Sequence, residues 1–367
     1  MKKFQKKKES LIRVFRGKKI IITGHTGFKG SWLTTWLNSL GANIVGISNN
    51  IPTKPSHFKT LEFKKNTLKS HFVDLRNLTI IKKIFKKEKP DFVFHLAAEA
   101  LVKKSYEFPV KTITTNIIGT LNVLEALKQL KNKNCAAVII TSDKVYKNLE
   151  ISRGYKESDV LGGKDPYSAS KASAEIIINS YINSFFPKFK SNVTIGVARA
   201  GNVIGGGDWS EDRLIPDCMK SWPRNKRVLL RNPNSTRPWQ HVLDAIWGYI
   251  VLARNLKNKK KLHGENFNFG PTSKSNHTVL KLVKTMNIYW KKVSWEIKKD
   301  NNNYFESNLL KLNSKKAKKL LGWRCAMNFT QTVKMVAEWY KFFYSKKNNK
   351  QNLTLSQIKQ YEKILDL

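Results

Sequence analysis

Residues Lys19–Thr23 form a β-branched run, Lys-Ile-Ile-Ile-Thr, that leads without a spacer into Gly24-His-Thr-Gly27-Phe-Lys-Gly30. Trp32, Leu33, Trp36, Leu37 and Leu40 follow at i, i+1, i+4, i+5 and i+8, the apolar face of a helix that stops at Gly41. A strand, a glycine turn and a helix in that order leave few folds open. Gly24 permits a tight turn, Gly27 lets the backbone come close to a ligand, and Gly30 lets helix and strand pack closely. The helix start then offers unpaired amides and a positive dipole end to phosphate. The unit predicts a dinucleotide pyrophosphate site.

The same rhythm continues for some 180 residues. Further strands are expected at Asn43–Ser48, 91–96 and 136–141, each beside a helical pattern. Repeated strand–helix alternation predicts an α/β fold, a Rossmann-type doubly wound parallel sheet that binds ligands at the carboxyl ends of its strands. Beyond Arg199 the pattern is broken by Gly205-Gly-Gly207, Pro216, Pro223, Pro233, Pro238, Gly270 and Pro271. The expected organisation is a basic N-terminal extension, 1–17, and a Rossmann domain, 18–200 plus 241–262, with 241–253 read as a helix returning to the sheet. A smaller mixed α/β ligand domain takes 201–240 plus 263–367.

Charge points elsewhere at first sight. The 367 residues carry 68 Lys plus Arg against 26 Asp plus Glu, a net +42, which suggests a polyanion partner. Only 12 of the basic residues are Arg, however, and a nucleic-acid groove recruits Arg for its planar fork. The excess is concentrated at the N-terminus, at 257–261 and at 315–319, as on solvated helix faces. The reading is therefore no nucleic acid and no membrane, with a polyanion-binding protein on a Rossmann scaffold kept as a distant alternative. No apolar run approaches the ~18 residues of a membrane span, and the N-terminus lacks the apolar core of a secretory signal. Cys135, Cys218 and Cys325 are far apart and without metal-ligand spacing, which fits a reducing cytoplasm and no metal.

Two clusters carry chemistry. Tyr167-Ser-Ala-Ser-Lys171 follows Asp165-Pro166, so Pro166 starts a helix and Tyr167 and Lys171, four apart, project from one face. The strand expected at 136–141 delivers Ser142, Asp143 and Lys144 to the carboxyl edge of the sheet.

Taken together, the Thr23-Gly24-x-x-Gly27-x-x-Gly30 turn and the Tyr-x-x-x-Lys pair resemble the extended short-chain dehydrogenases/reductases. That resemblance implies NAD held by Gly24, Thr26, Gly27, Phe28 and Gly30, with Asp74 and Leu75 at the adenine, Ala97 and Ala98 beside the cofactor, and Asn116 ordering the site. It also implies that Tyr167 is a base assisted by Lys171, with Ser142 as the hydroxyl that holds the substrate oxygen. Where an acid usually binds the ribose stands Asn50, whose amide can still bond a hydroxyl but does not repel a 2′-phosphate. NAD remains favoured over NADP.

Ser142-Asp143-Lys144, Arg199-Ala-Gly-Asn202-Val-Ile-Gly-Gly-Gly-Asp-Trp209 and Arg237-Pro-Trp-Gln-His-Val242 are similar to the CDP-glucose 4,6-dehydratase branch of that family. Departures from its pattern are Glu99 and Ala100, where Gln-Pro is usual, and Lys103, where Arg is usual. The branch implies transient C4 oxidation by NAD with Tyr167 as base at O4. It further implies Lys144 as candidate base at C5, Asp143 as candidate acid at the C6 hydroxyl, and hydride return to C6. A Lys144 that only salt-bridges Asp143 would leave the C5 step to another group. Asn202, Arg237, and more weakly Arg231 and Lys103, are the implied substrate contacts, Arg237 through bidentate donors to phosphate. An epimerase or reductase on the same fold is the alternative. A homodimer or homotetramer is expected through apolar helix faces at 113–130 and after Pro166, and the product would supply deoxysugars for surface polysaccharide.

Overall fold

The computed structural model describes residues 2–130, 133–188, 190–271, 276–297, 309–345 and 350–367. Helix α1, Lys2–Phe15, precedes strand β1, Lys19–Thr23, which passes through the glycine turn into α2, Phe28–Ser39. Strands β2, Asn43–Ser48, and β3, Leu68–Phe72, follow, then α3, Leu78–Glu88, and β4, Phe92–His95. After α4, Gly119–Lys128, come β5, Cys135–Ile140, α5, Pro166–Phe185, and β6, Val193–Ala200. Helix α6, Val242–Asn258, leads to β7, Asn266–Phe269.

These seven strands form one sheet in the order β7-β6-β5-β4-β1-β2-β3, with every neighbouring pair parallel. Ile20 and Ile22 of β1 enter the core on one face and Ile21 the core on the other, so both faces are buried and the strands read as unbroken apolar runs. The strand order reverses between β1 and β4. That crevice lies at the carboxyl ends of the strands and is where such sheets bind ligands.

Three departures from the sequence reading concern where the chain divides. The sheet's outer strand β7 comes from 263–367, the stretch assigned to the ligand domain; it is too short and too polar at Asn266 and Asn268 to stand out by periodicity. At the N-terminus, α1 is not an appended tail, because Leu11 and Phe15 are fully buried in the same core as Ile20, Trp32 and Trp36. The C-terminal helix Lys350–Ile364 also returns to the cofactor side, where Tyr361 packs edge-on against Trp36 and Trp36 Nε1 donates to Glu362 Oε1 at 3.1 Å. Helix α6 does cross back onto β5 and β6, as its apolar pattern suggests.

The basic residues at 259–261, 315 and 318–319 are exposed, on helix faces and turns. Among the described residues no helix is long and apolar enough to cross a membrane.

Candidate active site

The glycine turn is held from below by a buried histidine. His25 lies between Ser48 Oγ, 2.9 Å from Nδ1, and Ser70 Oγ, 2.9 Å from Nε2, and burial pushes its pKa down to about 4. It therefore acts as a neutral peg joining the turn to β2 and β3. Gly24 has φ +74°, and a Cβ there would lie 2.8 Å from the Ala97 amide nitrogen. At Gly30 a Cβ would come 2.0 Å from the Gly24 carbonyl oxygen, so the first turn of α2 sits directly on the loop. Gly27 is the N-cap of α2 and its side contributes no capping bond, which leaves the first amides of the helix for an anion. The cradle fits a dinucleotide pyrophosphate.

Around it, Thr26 Oγ1 donates to the Asn50 carbonyl at 2.6 Å, and Asn50 itself is exposed just past β2. Phe28 packs toward Gly205, where an added Cβ would lie 3.1 Å from its ring. Asp74 is engaged by Arg76, whose Nη2 donates to Oδ2 at 2.6 Å, and this partner holds the carboxyl below its ordinary range. Leu75 points inward, 5% exposed, so its side chain belongs to the core. Ala97 N donates to the Thr23 hydroxyl at 3.2 Å, and Ala98 follows it in the loop after β4.

Asn116 is the residue that ties these pieces together. It sits in a π-helical turn, Thr114–Ile118, a distortion that re-aims side chains and recurs at functional sites. Its Oδ1 accepts from Glu99 N at 2.8 Å, and its Nδ2 donates to Glu99 O at 3.1 Å and to Ser170 Oγ at 2.8 Å. The loop after β4 is thereby fixed to α5.

Asp165 caps α5 by accepting from Ser168 N at 2.9 Å and Ser168 Oγ at 2.5 Å, and Tyr167 N donates to Ser105 Oγ at 3.2 Å. Tyr167 and Lys171 are both buried, 8% and 6% exposed, one turn apart. Burial raises the Tyr167 phenol, opposed by a hydrogen bond with Ser142 and by the charge of Arg213. Burial also lowers Lys171, to about 8, helped by the charge of Lys29 and opposed by Glu175.

At the end of β5, Ser142 caps a short turn by accepting from Lys144 N at 3.2 Å, and its own hydroxyl donates to Asp143 Oδ1 at 3.0 Å. Asp143 is 5% exposed and burial raises its pKa, against the nearby charges of Lys144 and Lys29. Burial shifts this carboxyl toward its acid form, the form that can donate a proton. Gly201 leaves room for it, since a Cβ there would lie 3.0 Å from Asp143 Oδ2. Lys144 is partly exposed, and among the described residues no ion pair joins it to Asp143.

The proposed substrate contacts are more dispersed. Asn202 is exposed just after β6. Arg237 lies in the strand Thr236–Pro238 and donates to the Thr236 carbonyl at 2.9 Å. Arg231 lies near Asp217, whose pKa burial raises to about 6 against the charges of Lys220 and Arg231, and Lys103 Nζ is 3.3 Å from Asp212 Oδ1. The structure thus brings Ser142, Asp143, Tyr167 and Lys171 to one place and leaves the candidate cations on separate segments.

Sequence reasoning missed Lys29 and Arg213. Lys29 lies inside the glycine turn; burial lowers it to about 8, and it feels Arg213, Asp143 and Asp208. Arg213 pairs with Asp208 at 3.1 Å. The GxxGxxG pattern treats the place of Lys29 as a free position, so only its charge in an otherwise neutral turn could have drawn notice.

Comparison with known proteins agrees with this architecture. The family model described as GDP-mannose 4,6 dehydratase matches residues 21–336. A CDP-glucose 4,6-dehydratase of Salmonella typhimurium is 43% identical over 331 residues, 89% of this chain and 91% of its own. Among solved structures, an epimerase of Methanothermobacter thermautotrophicus superposes with TM-score 0.80 at 22% identity, covering 92% of this chain and 96% of its own. A dTDP-glucose 4,6-dehydratase of Bacillus anthracis in complex with NAD gives 0.74 at 22%, covering 89% and 97%.

Proposed function

The chain belongs to the GDP-mannose 4,6-dehydratase family, within the extended short-chain dehydrogenases/reductases, and from that membership we propose that it is an NAD-dependent dehydratase of CDP-glucose. The product would be CDP-4-dehydro-6-deoxyglucose and water. One observation carries the reading: a buried carboxyl, Asp143, and a lysine, Lys144, stand at the end of β5 beside a buried Tyr167–Lys171 pair. An epimerase or reductase needs only the pair. A dehydratase also needs a base at C5 and an acid at the C6 hydroxyl.

NAD held in the Gly24–Gly30 cradle supplies a hydride acceptor and donor, together with the positive charge that a buried phenol needs to ionise. Tyr167 takes the proton from O4, assisted by Ser142, which holds the same oxygen. A ketone at C4 acidifies the C5 proton, and Lys144 removes it. Asp143 protonates the departing C6 hydroxyl, which leaves as water, and Lys144 returns its proton to C5 as C6 takes back the hydride that bound NAD would supply. Gly24, Thr26, Gly27, Phe28, Gly30, Asn50, Asp74, Ala97, Ala98 and Asn116 form or support the cofactor side, while Asn202, Arg231 and Arg237 grip the sugar nucleotide. Preference for CDP over other nucleotides rests on the 43% identical relative.

Incubating the purified protein with CDP-, dTDP-, GDP- and UDP-glucose, with no added reductant, tests the reading. A 4-keto-6-deoxy product, detected by its alkaline enone absorbance, is expected from CDP-glucose first. Interconversion of epimers without loss of water would overturn it.

The chain further pairs with itself through apolar side chains exposed on two neighbouring helical segments: Phe108, Val110, Ile113 and Ile118 on one, Ile176 and Phe185 on the other. The absence of paired cysteines among Cys135, Cys218 and Cys325 supports a reducing cytoplasm, where the product would enter deoxysugar synthesis for surface polysaccharide.

A further inference from the structure

The four-residue interval from Tyr167 to Lys171 leads on to Glu175, so the three stand on one face of α5. Glu175 is buried, and its carboxylate is fully engaged. Thr141 Oγ1 donates to Oε1 at 2.5 Å; Arg199 Nε donates to Oε1 at 2.9 Å and to Oε2 at 3.0 Å, and Arg199 Nη2 donates to Oε2 as well. Arg199, 1% exposed on β6, also donates through Nη1 to the Tyr146 hydroxyl at 2.7 Å and to the Glu157 carbonyl at 3.1 Å. The Tyr146 hydroxyl in turn donates to Asn268 Oδ1 at 2.8 Å, on β7. The network therefore touches the residue just before Ser142, the helix of Tyr167 and Lys171, and the two outer strands.

A buried ion pair adds little stability compared with a well-packed apolar pair. A buried carboxylate without its partner, however, takes up a proton rather than remain charged. We propose that Arg199 and Glu175 are positioning residues for the reaction: Arg199 holds the Glu175 carboxylate through Nε and Nη2, and Glu175, one helical turn beyond Lys171, sets a negative group beside its amine. The inference rests on the reading of Tyr167 and Lys171 as the reacting pair.

The groups facing Lys171 show why such a charge is needed. From α2 comes Lys29, whose charge favours the neutral amine, and from β4 comes His95, which lies between Thr23 Oγ1 at 2.7 Å and Thr120 Oγ1 at 2.9 Å and is kept neutral by burial. The segments before α4 meet α5 through the uncharged Ser105 and Asn116 and, at its N-cap Asp165, the Tyr106 phenol, and α6 presents the Tyr249 phenol toward Tyr167. Asp143 and Arg213 act on Tyr167 and Lys29. Glu175 is the anion that opposes burial and Lys29 at Lys171. Without it the amine loses its proton at lower pH.

The test uses Glu175→Gln, which keeps the side-chain shape, with Arg199→Met and Arg199→Lys. Two quantities are followed against pH: the alkaline limb of kcat with CDP-glucose, and the acylation of Lys171 by acetic anhydride in the absence of substrate, read by peptide mass spectrometry. For Glu175→Gln both midpoints are expected to fall by roughly one pH unit, Arg199→Met should follow it, and Arg199→Lys should stay with the parent chain. Unmoved Lys171 midpoints overturn the proposal, as does activity lost equally at every pH, which would mark the pair as scaffold. If Arg199→Met does not fold, Glu175→Gln decides alone. Because acylation needs no substrate, a parent chain inactive on CDP-glucose would sink the proposed reaction and leave the Lys171 midpoints to judge this inference.

Discussion

Asp143 and Lys144 are adjacent in sequence and chemically opposite, and the fold treats them differently. Asp143 is enclosed, with Gly201 opposite and Ser142 donating to it, whereas Lys144 is partly open. Burial therefore favours the protonated acid at one and leaves the other partly in contact with solvent, the division that the proposed elimination would use. Lys144→Ala is expected to leave C4 oxidation intact and to slow water loss by about 10²–10⁴-fold, the usual worth of a general acid or base. Reduced cofactor should then accumulate on the protein without enone. Product formation at the parent rate would remove Lys144 from the C5 step. Tyr167→Phe should instead suppress the oxidation itself, so that neither reduced cofactor nor enone appears.

The same pair of residues shows what was legible at this scale. Tyr167, Lys171 and the glycines of the turn stand out because their spacing alone sets their geometry, through one helical turn or one tight loop. Glu175 continues that spacing and could have been found by extending it. Arg199 could not, since its bond to Glu175 spans 24 residues and forms only when β6 lies beside α5.

At the scale of elements, the helical stretch from Val102 to Lys128 and helix α5 frame one side of the site and also carry the exposed apolar residues. Val110 is 73% exposed, Ile176 60% and Phe108 56%, more than single scattered surface residues require. A second copy covering them would also steady Asn116 and the start of α5. Phe108→Glu combined with Ile176→Glu is expected to convert a dimer or tetramer into the 42.3 kDa monomer, measured by light scattering after size exclusion. A parent chain already monomeric at micromolar concentration would refute the pairing. The glycine turn belongs to this scale too: a side chain at Gly30 would meet the Gly24 carbonyl, so α2 can approach β1 only without one.

For the molecule as a whole, four deeply buried histidines set the response to acid. Burial holds His25 at about 4 and His57, His95 and His241 at about 3, whereas unfolding returns each toward 6.5. Below pH 6.5 the unfolded chain therefore binds protons that the folded chain refuses, and stability falls as pH drops toward 4. Each histidine removes at most about 1.4 kcal/mol per pH unit over that range. Asp217 and Asp244, raised by burial to about 6, act oppositely between pH 6 and about 4, but they are fewer. The urea midpoint is expected to be lower at pH 5.5 than at pH 7.5, and an equal or higher midpoint would refute the sign. The +42 charge enters here only as self-repulsion among exposed lysines, to be relieved by salt.

By itself the sequence determined the strand–turn–helix unit, the parallel α/β class, the Tyr167–Lys171 pair and the Ser142-Asp143-Lys144 strand end. The motifs are encoded within single strands, turns and helices and the class in their repeated alternation, where backbone periodicity and steric limits act directly. Only the tertiary structure decided that β7 completes the sheet, that α1 and the C-terminal helix are built into the core, and that Lys103 meets Asp212. It also decided that Arg199 and Glu175 stand behind Lys171. Those partnerships join segments up to 326 residues apart, as from Trp36 to Glu362. They depend on which side chains are brought together when the apolar faces close, and local pattern carries no record of that.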